Sequence, residues 1–233
     1  FVKDLLDKVE PLFSDGGKLE KLHPLFEATD TILFSTDERT KTGPHVRDSI
    51  DIKRVMISVV IALIPCYIFG AYNIGYQRSL TFGEESSVLQ NFQIGIIALL
   101  PILVATFISG AFWEILFAVL RRHPISEGFL VTCALIPLTL PPSIPLWQVV
   151  IATSFGIVIG KEIFGGVGMN IFNPALMARA FLYFTYPINI SGDKVWALAP
   201  DGYSGPTALS IAAGKTNADA LDYHVGVPIF ILN

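Results

Sequence analysis

Charge is scarce beyond residue 54. Residues 1–54 hold nine of the 16 Lys and Arg and eleven of the 20 Asp and Glu, which leaves seven basic and nine acidic side chains for the other 179 residues. Overall 15% of residues are charged and 52% hydrophobic, where soluble domains carry about 25% charged residues. The mean hydropathy is +0.57. So little charge argues against an ordinary soluble domain and for a polytopic membrane protein behind a polar N-terminal segment. The net charge of −4 offers no basic footprint, so nucleic acid is not expected as a partner. The two cysteines, Cys66 and Cys133, stand singly inside apolar runs, which excludes a CxxC motif and gives no sign of a disulfide scaffold. The four histidines, His23, His45, His123 and His224, lie in loops or flanks without ligand spacing, so no metal site is expected. A cleavable signal peptide is not visible, because the first 30 residues hold seven acidic ones and no continuous apolar core. The chain starts at Phe1 and stops partway into the apolar run VGVPIFILN, and is expected to be part of a longer one.

What is present is a series of apolar runs. Residues 1–54 are expected to form a cytoplasmic segment and residues 55–233 a transmembrane domain, incomplete at its C-terminal end. FVKDLLDKVEPLF places Phe1, Val2, Leu5, Leu6, Val9, Leu12 and Phe13 near one helical face. That amphipathic helix lies on a membrane surface, on a partner, or on its own domain. The first span is expected near Val55–Tyr72, followed by a polar loop over 73–91. The second run, Phe92–Leu120, is 29 residues long and ends in Arg121–Arg122. A straight span needs about 20 residues, so this one is tilted, overlong or kinked near Pro101. Glu127–Leu140 and Ile144–Gly160 are at or below spanning length, and a glycine-rich stretch precedes the run around Pro174–Tyr186. Short or Gly/Pro-interrupted segments imply broken helices lining an internal site. The expected fold is therefore all-α: a bundle of transmembrane helices, some short or broken. Trp113, Trp147 and Trp196 fit an interfacial aromatic belt. Basic flanks at Lys53–Arg54 and Arg121–Arg122 put the N-terminus in the cytoplasm, Lys161 on the same side, and residues 201–210 outside.

Three places carry residues suited to chemistry. In DGYSGPTALS, Asp201 to Ser210, Gly205-Pro206 precedes TALSIAA and Gly214, which reads as a short helix. Thr207 is then either part of an ordinary helix start or a hydroxyl held where unpaired N–H groups favour a phosphate. In GGVGMNIFNP no GK[ST] follows the glycines, so a phosphate-binding P-loop is excluded. The glycines read as close helix packing and Asn173-Pro174 as a helix start; alternatively Asn170 and Asn173 are amides set to pair with the edge of a ring. Glu114 is the lone acidic residue of the 29-residue run. An intramembrane carboxylate is costly and usually functional, so Glu114 either serves a cation path or snorkels to the inner surface near Arg121. Gly110 and Ala111, one turn earlier, read as helix packing.

DGYSGPT is close to the pattern D-x-x-(S/T)-G-A-T, at which flavin mononucleotide (FMN) is esterified through its phosphate to threonine. The chain resembles the membrane flavoproteins of the sodium-translocating NADH:quinone oxidoreductase and of the Rnf complex, and is most similar to the B subunits of the former. HVRDSIDIKRVM, FWEILF, EGFLVT, PPSIPLWQ, KEIFGGVGMNIFNPA and YPINISGD carry that resemblance in order over essentially all 233 residues. It implies covalent FMN on Thr207, with Asp201, Ser204 and Gly205 completing the motif, and a noncovalent riboflavin near Asn170 and Asn173. It further implies sodium entry at Glu114 and quinone reduction near Gly110 and Ala111. Its partners are then the other subunits of the complex, quinone and the lipid bilayer of the bacterial inner membrane. NADH oxidation belongs to another subunit. Two positions depart from the pattern: Pro206 stands where alanine is usual, and Ala111 where glycine is. A D subunit of an Rnf complex and a non-redox solute channel or transporter are the alternatives. HVRDSIDIKR before the first span favours the B subunit over the first, and flavin fluorescence in a denaturing gel separates a flavoprotein subunit from the second.

Overall fold

A polar stretch that was expected to be a loop turns out to extend the first helix by nearly three turns. In the computed structural model, which describes residues 52–121, 125, 128–192, 195–198 and the single positions 9, 11, 13 and 43, helix α1 runs Ile52–Phe82. Residues 73–82 stay helical because their polar groups find partners at the α1–α2 end. Ser79 Oγ lies 3.1 Å from Gly75 O and 2.8 Å from Asn91 Oδ1, either of which can accept its proton, and Arg78 lies over the Phe82 ring at 5.1 Å. Gly83 ends the helix at φ 66°. Its N–H reaches Leu80 O at 3.2 Å and that of Glu84 reaches Ser79 O at 3.0 Å, the paired bonds of a Schellman motif.

Helix α2, Val88–Arg121, opens with a capping box: Gln90 N donates to Ser87 Oγ at 3.3 Å and Ser87 N to Gln90 Oε1 at 3.0 Å. It runs on through Pro101 to a length of 34 residues, about 51 Å at 1.5 Å per residue, well beyond a hydrocarbon core of about 30 Å. Helices α1 and α2 form an antiparallel hairpin. Gly75 sits on the Asn91 main chain and Gly95 on that of Ala71, where a Cβ would collide with backbone. Helix α3, Gly128–Thr139, is short, and a turn through Pro141-Pro142 leads to α4, Leu146–Val158. A 3-10 turn, Glu162–Phe164, prolongs α4, and the whole stretch Leu146–Phe164 is long and apolar enough to cross a membrane, as are Val55–Phe82 and Val88–Arg121. Helix α5, Pro174–Thr185, returns along α4, and α6, Pro187–Ile190, closes the described bundle.

Among the described residues every regular element is helical, as expected for a polytopic membrane protein with short helices. Ile102 of α2, Ile136 of α3, Val149 and Ala152 of α4, and Ala178 and Leu182 of α5 make the core. Helices α2 and α4 run parallel: Ser109 Oγ meets Val150 O at 3.2 Å, and Gly110 faces Ile157. Helix α5 is antiparallel to α4, with Phe155 stacked on Phe181 at 4.5 Å and Trp147 edge-on to Tyr186 at 5.2 Å. These directions bring the C-terminal ends of α2 and α4 together, which positions the site below. Most of residues 1–54, and all of Asp201, Ser204, Gly205 and Thr207, lie outside the described residues; of the amphipathic stretch, Val9, Pro11 and Phe13 are helical.

Candidate functional site

Where α2 and α4 end side by side, four charged side chains form one cluster. Glu114 and Arg121 are two turns apart on one face of α2, a spacing of seven residues. Lys161 and Glu162 follow α4, whose final turns hold them through Gly160 N to Gly156 O at 3.0 Å and Lys161 N to Ile157 O at 3.1 Å. Lys161 Nζ donates to Glu114 Oε2 and stands 3.1 Å from Glu162 Oε1. Arg121 grips Glu162 from the other side, Nη1 to Oε2 at 3.2 Å and Nη2 to the Glu162 carbonyl at 2.7 Å. Arg121 also covers the Phe117 ring at 5.0 Å. Glu114 and Lys161 are 2% exposed and Glu162 1%, whereas the Arg121 side chain is 36% exposed.

Two carboxylates and two cations make the cluster neutral. Neutrality explains how four charges persist beside apolar helices, since an unpaired buried ion is far costlier than a paired one. Lys161 also lies at the C-terminal end of α4, whose partial negative charge favours a cation. Glu114 therefore does not snorkel towards the surface: it is buried and held by an ammonium. Lys161 is likewise buried, between the two carboxylates. The signal for this was in the sequence: in a body so poor in charge, a lone Glu114 and the KE pair in GKEIFGG each need a partner, and α2 and α4 carry them to the same end.

Gly110, one turn from Glu114, faces α3 and α4. A Cβ there would strike Cys133 Sγ and come within 3.1 Å of Phe129 and 3.2 Å of Ile157. Its missing side chain is thus used for close packing, and Ala111 beside it is half-buried.

Asn170 and Asn173 are not on a helix face. They sit in the loop between the 3-10 turn and α5. Asn170 Oδ1 accepts from Gly168 N at 3.2 Å and its Nδ2 donates to Phe172 O at 2.8 Å. Asn173 caps α5, its Oδ1 accepting from Ala175 N at 2.9 Å ahead of Pro174, the helix start expected from the sequence. Gly165, Gly166 and Gly168 do not serve close helix packing. They adopt φ of 112°, 104° and 87°, a region side chains avoid. The turn they allow surrounds the asparagines with exposed Met169, Ile171 and Phe172. Amide groups bordered by apolar surface suit a flat heteroaromatic ring, so the donor set fits the riboflavin implied above. Replacing Asn173 by alanine should destabilise by about 1 kcal/mol through the lost cap. Asn173→Asp keeps the cap and removes the amide NH2. Thermal melting and extracted riboflavin, measured on both variants, separate the two roles: a flavin contact predicts loss of riboflavin from Asn173→Asp with melting nearly unchanged.

Comparison with known proteins gives the chain a family. Residues 39–231 match the family described as NQR2, RnfD, RnfE. The B subunit of a Na(+)-translocating NADH-quinone reductase from Chromohalobacter salexigens is 49% identical over 91% of this chain and 56% of its own length. Proteins of the same name from Pseudomonas paraeruginosa and Azotobacter vinelandii are 48% and 49% identical, each over 91% of this chain and 58% of the relative. The chain thus spans little more than half the length of these relatives. With a family match over most of its residues and near-half identity to such relatives, the protein belongs to the NQR2, RnfD, RnfE family.

Proposed function

We propose that the chain is part of the B subunit of a sodium-pumping NADH:quinone oxidoreductase of the bacterial inner membrane. The observation that carries this reading is identity of 48–49% to relatives of that name over nine-tenths of the chain. That shared name also favours the B subunit over an Rnf D subunit. In this reading the N-terminus is cytoplasmic and Thr207 lies on the outer side. Thr207 holds FMN through a phosphate ester, with Asp201, Ser204 and Gly205 forming the surrounding motif. Asn170 and Asn173 hold riboflavin at the ring edge. When bound, the flavins supply the redox chemistry, and the protein supplies position and electrostatics. Quinone is reduced near Gly110 and Ala111, and NADH is oxidised on another subunit of the complex.

Glu114 is the residue of the cation path. Its carboxylate is a hard oxygen ligand of the kind that takes small hard cations, it is buried within a span, and its present partner is itself a monovalent cation. The test is reconstitution. The complex, purified through a tag on the full-length polypeptide and placed in liposomes, is expected to reduce quinone with NADH and to accumulate sodium-22 in the lumen. Quinone reduction without sodium uptake would remove the pump from this reading. Sodium uptake that proceeds without NADH would favour a passive channel.

A further inference from the structure

Lys161 stands between two carboxylates, and one of them is fixed from its far side. Glu162 is held by Arg121 through both its side chain and its carbonyl, while Lys161 Nζ lies 3.1 Å from its other carboxylate oxygen. Glu114 receives the same ammonium from the α2 side. We propose that Lys161 is a built-in competitor of sodium at Glu114, a proposal that rests on the reading of Glu114 as part of the cation path. Both are monovalent cations, and a carboxylate accepts either.

The geometry makes the exchange cheap. A lysine ammonium rides on a flexible four-carbon stem. When sodium takes Glu114, Lys161 shifts its bond to Glu162 and is never left unpaired in an apolar setting, which would be prohibitive. Arg121 keeps Glu162 in place to receive it. The charges give the exchange a direction. Two carboxylates with Lys161 and Arg121 sum to zero, and a bound sodium makes the cluster net positive by one. In a buried, low-dielectric site that surplus opposes retention, so sodium is held briefly and passed on. Without Lys161 the same carboxylates would form a site with one negative charge more, which keeps its ion.

The test is the sodium dependence of NADH-driven quinone reduction by the purified complex carrying the full-length polypeptide. Lys161→Gln removes the competitor, and the half-saturating sodium concentration should fall about fivefold or more, the scale of ordinary coupling between sites. Glu162→Gln removes the charge that draws the ammonium away from Glu114, and the half-saturating concentration should rise. Lys161→Arg keeps the competing charge and should stay near the unsubstituted value. A cluster that merely staples α2 to α4 predicts lower melting temperatures for the first two variants with no displacement of the sodium curve. An unchanged or right-shifted curve for Lys161→Gln overturns the proposal. If that variant does not assemble, an unchanged or left-shifted curve for Glu162→Gln overturns it instead. Glu114→Gln, measured in parallel, tells the two readings apart. A shifted Glu114→Gln curve beside an unshifted Lys161→Gln curve removes the competition alone. An unshifted Glu114→Gln curve removes the role of Glu114 and this proposal with it.

Discussion

Thr207→Ala should abolish the ultraviolet fluorescence of this polypeptide in a denaturing gel while leaving it in the membrane. A flavin that survives denaturation is covalently bound, and an ester through phosphate needs a hydroxyl that alanine lacks. The effect is therefore complete loss, unlike the graded loss that follows from weakening a noncovalent contact. The helix start expected at Gly205-Pro206 adds a favourable N-terminal field for the phosphate, but such a field contributes only about 0.3–1 kcal/mol at an exposed site. It can orient the group and cannot replace the bond. Thr207→Ser keeps a hydroxyl and should retain part of the fluorescence. Pro206→Ala restores the backbone N–H and the φ freedom that proline removes, and brings the stretch to the usual D-x-x-(S/T)-G-A-T form, so occupancy should stay the same or rise. Fluorescence that persists in Thr207→Ala would exclude this residue as the anchor. Noncovalent riboflavin, extracted from the same preparations, should remain, because the residues proposed to hold it, Asn170 and Asn173, belong to the loop before α5.

Local signals in the sequence correspond to local structure. Asn173-Pro174 spell a helix start and form one, whereas the Ser87–Gln90 capping box that opens α2 lies inside the stretch expected to be loop. The apolar runs around 55–72 and 92–120 each lie within a helix long and apolar enough to cross a membrane, and the run around 144–160, expected to be at or below spanning length, reaches that length only with the 3-10 turn that follows it. What composition misjudged depended on partners distant in sequence. Residues 73–82 look like loop because they are polar, yet Ser79 is satisfied by Asn91 across the hairpin, and Gly75 with Gly95 lets the two helices approach closely enough for that. Lys161 and Glu162 give no sign of their partners in the local sequence. Only the parallel packing of α2 on α4 brings Glu114 and Arg121 to meet them. The glycines of GGVG carry the same letters whether they serve close packing or positive φ, and the chain path decides between them. The flavin and quinone assignments came from motif resemblance, which names a residue without giving its neighbours. For Glu114 the structure adds those neighbours, and with them a sharper expectation.

Glu114→Gln should raise the sodium concentration needed for half-maximal quinone reduction, with covalent flavin content unchanged. Glutamine keeps the shape of the side chain and removes its charge. Were Lys161 paired to Glu114 alone, the change would leave a buried ammonium without a counter-ion, and breaking a buried pair in that way costs about 3–5 kcal/mol. Here Lys161 retains Glu162 at 3.1 Å, and the glutamine carbonyl still offers it an acceptor, so the loss should fall below that range and the complex should assemble. The cluster then carries one surplus positive charge before any sodium arrives. Sodium must enter a site that has lost a negative ligand and repels cations, and both effects act in the same direction. A shift of about tenfold corresponds to 1.4 kcal/mol of lost interaction, modest for a buried charge, and at least that is expected. Glu114→Asp keeps the charge on a shorter stem, so it should weaken the geometry and shift the curve less. The distinguishing measurement is quinone reduction against sodium concentration at fixed NADH, taken together with melting temperature. A purely structural role for Glu114 predicts a lower melting temperature and an unmoved sodium curve, and that combination, with full flavin occupancy, would remove Glu114 from the cation path.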